Sequence, residues 1–164
     1  MEEAKYLPLV FFHLQIDQPI LDQDEQLAKG FSGYIREMFE GTKYQLFRIA
    51  ENEFILIYLK TEMTDNALAI LEARVKMGLD LLQHKWKTNY SLTGIDTANV
   101  TSVSPVDFLD FTHFLLKNDT GVNKYKICFE DDAQDYLIYV LLKGTLENIV
   151  QSDNLNDERI VLYF

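Results

Sequence analysis

Residues 44–59 read Tyr-Gln-Leu-Phe-Arg-Ile-Ala-Glu-Asn-Glu-Phe-Ile-Leu-Ile-Tyr-Leu, two runs rich in β-branched and aromatic side chains about the polar tip Glu51-Asn52-Glu53. Two such runs with a short polar connection form the pattern of a β-hairpin. The second run, Phe54 to Leu59, is apolar at every position. A strand of that kind needs cover on both faces, so the hairpin is expected mid-sheet with helices above and below. The polar tip is where chemistry would sit.

The other segments alternate around it. Leu7 to Ile16 is a mostly apolar run that reads as a second central strand, ending in the polar step Asp17-Gln18-Pro19. His13 interrupts the run and is assigned no function, because no second histidine lies near it in sequence. Asp22 or Asp24 can cap a helix whose apolar positions Leu27, Phe31, Tyr34, Ile35 and Met38 fall at helical spacing, with Gly41 closing it. Leu68, Leu71, Val75, Leu79 and Leu82 form the stripe of a second helix ending near Trp86. Tyr90 to Ile95 reads as a strand broken by Gly94.

Ser104-Pro105-Val106-Asp107 is a helix start, with Ser as cap, Pro in the first turn and Asp where the helix dipole favours an anion. That helix runs to about Lys117, and Gly121 turns the chain into the strand Lys124 to Phe129. The order β-α-β-β-α-β-α-β predicts an α/β (α+β) sandwich, a central mixed sheet flanked by helices and close to the split βαβ, ferredoxin-like arrangement. After Glu130-Asp131-Asp132 a long helix carries Ile138, Leu142, Leu146 and Ile149 on one stripe, and is expected to fold back onto the sheet. Gly144 within it marks a bend or a close approach. A polar break at 152–158 precedes a terminal apolar strand, Arg159 to Phe164.

Composition narrows the function. At 164 residues and 48% hydrophobic content the chain can bury one sizeable core. Lys and Arg number 15 against 26 acidic residues, a net charge of −11, which repels a nucleic-acid backbone. The sole cysteine, Cys128, lies in an apolar run and reads as a core thiol. No signal peptide or membrane-spanning segment is evident, so a cytoplasmic location and no membrane partner are expected. Sequons at Asn89, Asn99 and Asn118 carry no weight without a secretory signal.

Over roughly residues 6–129 the order of elements and the hairpin tip resemble the GGDEF family, the diguanylate cyclase domains of bacterial cyclic di-GMP signalling. The family hairpin reads Arg-hydrophobic-Gly-Gly-Asp/Glu-Glu-Phe, and the same place here holds Arg48-Ile49-Ala50-Glu51-Asn52-Glu53-Phe54. Arg48, Glu53 and Phe54 fit. Leu14-Gln15-Ile16-Asp17 stands where the family has Asp-hydrophobic-Asp, and Leu116-Lys117 with Gly121-Val122-Asn123-Lys124 is similar to its Ala-Lys and Gly-Arg-Asn segment.

The departures remove the chemistry. A cyclase joins two GTP molecules with a divalent metal, which needs hard carboxylate ligands. The metal positions implied by the resemblance are occupied by the neutral amides Gln15 and Asn52, and no metal site or cofactor is expected. Ala50 and Glu51 replace the glycines that let backbone approach nucleotide. The segment after Gln15 is shorter than in active members, and Asp24 is either a vestigial guanine contact or a helix cap. Lys117 survives from the phosphate-holding pair, whose arginine falls on Val122; Gly41 and Tyr44 stand in the product-inhibition motif.

In composite proteins of this family a helix leads into an EAL phosphodiesterase domain, whose first strand Glu158 to Phe164 resembles. The expected organisation is a degenerate GGDEF-like domain at 1–130, a linker helix at 131–157 and the start of an EAL-like domain at 158–164. The resemblance thus implies a non-enzymatic regulatory domain that modulates an adjoining EAL domain, with weak GTP binding and a homodimer as further candidate interactions; any phosphodiesterase activity would belong to the longer protein. Two alternatives stay open. One is residual cyclase or other nucleotide-processing activity using Glu51, Glu53 and Asp17. The other is a structural spacer with the helix Asp135 to Gln151 as coupling rod or dimer seam.

Overall fold

The computed structural model describes residues 8–17, 29, 30, 33, 36, 37, 44–60, 67–117 and 124–151. Five strands form one mixed sheet: β1 (Leu9–Ile16), β2 (Tyr44–Ala50), β3 (Glu53–Leu59), β4 (Tyr90–Asp96) and β5 (Lys124–Cys128). Three helices accompany them: α1 (Ala67–Trp86), α2 (Phe108–Lys117, preceded by a 3-10 turn at Pro105–Asp107) and α3 (Glu130–Gln151). Lys29, Gly30, Gly33, Arg36 and Glu37 are also helical. The cap at Asp22 or Asp24, Val122 and the terminal strand 159–164 lie outside the described residues.

The strand order is β2-β3-β1-β4-β5, antiparallel throughout except for the parallel pair β4 and β5. Its β4-β1-β3-β2 portion is the order of the split βαβ, ferredoxin-like sheet, extended by one strand, so the expected α+β sandwich is the observed fold class. One expectation fails. Among the described residues only the second arm of the hairpin is interior: β3 lies between β1 and β2, whereas β2 has a single neighbour and stands at the edge. Phe47 and Ile49 are exposed there, while Tyr44 and Leu46 pack partly against the core.

Period-two alternation assigns each side chain to a face. Val10, Phe12, Leu14 and Ile16 meet Phe54, Leu56 and Leu92 beneath Val75 and Leu79 of α1. Phe11, Ile55 and Ile95 meet Phe108 and Phe111 of α2 and Ala133 and Tyr136 of α3 on the other face. Phe111 has no exposed surface. Cys128 is equally buried there, and burial pushes its thiol pKa up to about 12, which removes it as a nucleophile.

Gly94 does not break its strand; β4 runs through it from Tyr90 to Asp96. It faces Phe12 across the ladder, and an added Cβ would stand 2.8 Å from the Phe12 ring and 2.7 Å from the end of Ile127. The glycine makes room for an aromatic ring, so Gly94→Ala is expected to cost about 1–2 kcal/mol by overpacking, read as a lower denaturant midpoint at unchanged slope.

The 104–107 start is confirmed with one change. Ser104 occupies the cap position, yet its hydroxyl makes no capping bond; Asp107 N–H donates to its backbone carbonyl instead (2.9 Å), closing the 3-10 turn. α3 begins at Glu130, and Asp132 accepts from Phe129 N–H (3.0 Å) at its start. Beyond Leu137 the helix leaves the core: Ile138, Leu141 and Leu142 are 55%, 70% and 58% exposed, so the stripe does not fold back on the sheet. A Cβ at Gly144 would meet nothing within 4 Å, so no close approach requires that glycine. No helix among the described residues is long and apolar enough to cross a membrane.

Candidate functional site

The hairpin connection is shorter than the three polar residues suggest. Glu51 and Asn52 form the turn, and Glu53 already belongs to β3, opposite Gln15 of β1. Arg48 holds the turn from the preceding strand, donating from Nε to the Ala50 carbonyl (3.2 Å) and from Nη2 to the Glu51 carbonyl (2.9 Å). Asn52 pins it to the end of β1: its side-chain amide donates to the Ile16 carbonyl (3.0 Å), and its own carbonyl accepts from Ile16 N–H (2.9 Å). Phe54 is buried in the core beneath the Arg48 guanidinium. Arg48 and Asn52 thus direct side-chain N–H donors to the turn and the strand end.

Pleat parity puts Glu53, Gln15 and His13 on the face covered by α2. There the Glu53 carboxylate is the centre of a compact polar cluster. Its Oε2 lies 3.2 Å from Nε2 of His13 and 3.0 Å from Nε2 of His113 on α2, while Gln15 donates to Oε1 (3.3 Å). The two imidazoles meet edge to face, with centroids 4.9 Å apart. His13 has no exposed surface, and its Nδ1 lies 2.9 Å from the Thr112 hydroxyl. Burial lowers the His13 pKa, with Glu53 opposing. Burial alone would raise that of Glu53, but the hydrogen bonds from His113 and His13 hold it below the usual carboxylate value.

Glu53 and His113 also border an open cleft of about 930 Å³ between α2 and α3. Lys117 and Lys143 supply its positive charge, and Asp107, Asp110 and Glu147 its negative charge. With Glu53 the cleft carries four carboxylates against two lysines, so a phosphate would be received chiefly through the lysines.

No protein-family model, curated protein or solved structure matches the chain.

Of the residues expected at the site, Gln15, Asn52 and Glu53 are brought together at the β1–β3 junction, and Lys117 lines the cleft that Gln15 and Glu53 also border. Asp17 is exposed and accepts from the Asn89 amide (3.4 Å), and Glu51 projects from the turn. Among the described residues one set of three or more His, Cys, Asp and Glu side chains converges, His13, Glu53 and His113; an acid trio of Asp17, Glu51 and Glu53 does not. The sequence reading gives His13 no partner and overlooks His113, and the fold corrects both, since α2 delivers the second imidazole. The signal available was His13 itself, a polar ring in a buried strand that has to be satisfied.

Proposed function

We propose that this chain is a catalytically inactive, GGDEF-like regulatory domain of cyclic di-GMP signalling, which modulates an adjoining EAL phosphodiesterase domain by contact and binds GTP weakly. A cytoplasmic setting belongs to the same reading. The observation that carries it is the hairpin turn: the amides standing at the metal positions are tied to the protein through their N–H groups, Asn52 to Ile16 and Gln15 to Glu53, and offer a cation no negative charge. The ferredoxin-like strand order agrees with the fold that the resemblance implies. The exposed apolar side of α3 supplies a surface for contact.

Nucleotide occupancy is tested by thermal melting with GTP, in the presence and absence of Mg²⁺. A dissociation constant on the order of 1 mM, about −4 kcal/mol, is expected, with the same shift whether or not Mg²⁺ is present. Lys117→Ala is expected to remove most of that shift. A strong Mg²⁺ requirement would contradict the reading of Gln15 and Asn52. No shift at all would favour the structural spacer, which the four carboxylates lining the cleft already support.

A further inference from the structure

The hydrogen count of the His13–Glu53–His113 cluster turns on Thr112. Thr112 owns one hydroxyl hydrogen, and it donates it to the Leu109 carbonyl one helical turn back (2.9 Å). With the hydrogen so placed the same oxygen accepts from His13, and Nδ1 at 2.9 Å carries the N–H of the ring. In that tautomer a neutral His13 has a bare lone pair on Nε2, aimed at the carboxylate oxygen Oε2 of Glu53 only 3.2 Å away. Two acceptors at that separation repel unless a cation lies between them. That cation is either a proton, which makes an imidazolium of a ring with no exposed surface, or a metal ion.

We propose that His13, Glu53 and His113 bind a first-row divalent transition-metal ion, with Zn²⁺ the ion best suited to the donor set. The donors come from three elements, β1, β3 and α2, and the atoms they offer all lie within 4.8 Å of one another. Donors about 2.0–2.1 Å from a tetrahedral ion stand roughly 3.3 Å apart, so the 3.2 and 3.0 Å separations need only a small opening. Two imidazoles and one carboxylate suit Zn²⁺ and its neighbours in the row, whereas Mg²⁺ prefers oxygen alone.

Outer partners are in place as well. Thr112, backed by the Leu109 carbonyl, fixes the His13 ring, and Gln15 holds the Oε1 oxygen of Glu53 so that Oε2 is free to ligate. Glu53 and His113 border the cleft, so the remaining coordination position opens toward it for water or an anionic ligand.

The site needs no nucleotide and stands apart from the regulatory reading, so its test is made without GTP. The full chain, freed of metal by chelation, is titrated with Co²⁺ as a spectroscopic probe of the Zn²⁺ site. Visible absorption bands saturating at one equivalent are expected, abolished by Zn²⁺ and unaffected by millimolar Mg²⁺. Glu53→Gln and His113→Ala should each abolish the bands, while His84→Ala, which removes the one histidine outside the cluster, should leave them. Thr112→Val, acting through His13 as a positioning change, should weaken Co²⁺ binding about 10–100-fold with the spectrum kept. Circular dichroism checks that each variant is folded, and Glu53→Gln decides the matter if His113→Ala is not. Absent bands in the unaltered chain, bands that survive Glu53→Gln, or bands lost with His84 would overturn the site.

Discussion

Incubated with GTP and either Mg²⁺ or Mn²⁺, the protein is expected to make no cyclic di-GMP. In the family that the chain resembles, that chemistry uses a cation held by carboxylates at the end of the first strand and at the hairpin turn, where it neutralises triphosphate charge and helps the 3′-hydroxyl attack. At those places Gln15 donates to Glu53 and Asn52 donates to Ile16. Both donors present N–H to their partners, the opposite of what a cation wants. Glu53 itself is occupied by two imidazoles.

Restoring the acids does not restore the site. Gln15→Asp places a second carboxylate beside Glu53 in a partly buried position, and Asn52→Asp sets an anion against the Ile16 carbonyl that now accepts from the amide. The double variant also keeps Ala50 and Glu51 where the resemblance implies paired glycines. No turnover is expected from it, and its melting temperature should fall, because the Asn52 bond that ties the turn to β1 is gone. Chromatographic detection of cyclic di-GMP above a blank, from either protein, would sink the assignment.

Much of the fold was legible because continuous apolar runs leave few choices. Phe11 and Phe12 are adjacent, so one must face each side of the sheet, and α1 and α2 cover them accordingly. Edge and centre were harder to tell apart. Tyr44 to Ala50 carries enough large side chains to resemble an interior strand, but pattern on one strand does not say whether a second neighbour exists. Gly94 looked like a strand breaker because its reason is not local: the ring it accommodates belongs to Phe12 on the neighbouring strand.

The candidate site was legible only in half. Glu53 and Gln15 end two apolar runs that both read as central strands, and the β1–β3 register puts them opposite one another. His113 belongs to a helix, and helical periodicity alone does not say which residues of a neighbouring sheet its polar positions will meet. A buried histidine with both nitrogens to satisfy was the available clue, since the cost of leaving either unpaired is about 1–3 kcal/mol. That cost predicts partners without naming them.

The chain is expected to be a dimer in solution, converted to a monomer by Leu142→Glu. Ile138, Leu141 and Leu142 are each more than half exposed, and at 100° per residue they stand about half a turn from Tyr136, Val140 and Lys143, which face the cleft. Burying one leucine stabilises by about 1.5–3 kcal/mol, so the face as a whole is strongly driven to find cover. Around a twofold axis each contact is made twice, and a glutamate at position 142 would then place two charges in the seam. Leu142 belongs to neither core cluster, so light scattering should show half the mass while the melting temperature of the dissociated chain stays that of an intact sheet. A fall in melting temperature at unchanged mass would mean that α3 folds back after all. A monomer before and after the substitution would rule out the seam and leave the apolar face to the adjoining domain.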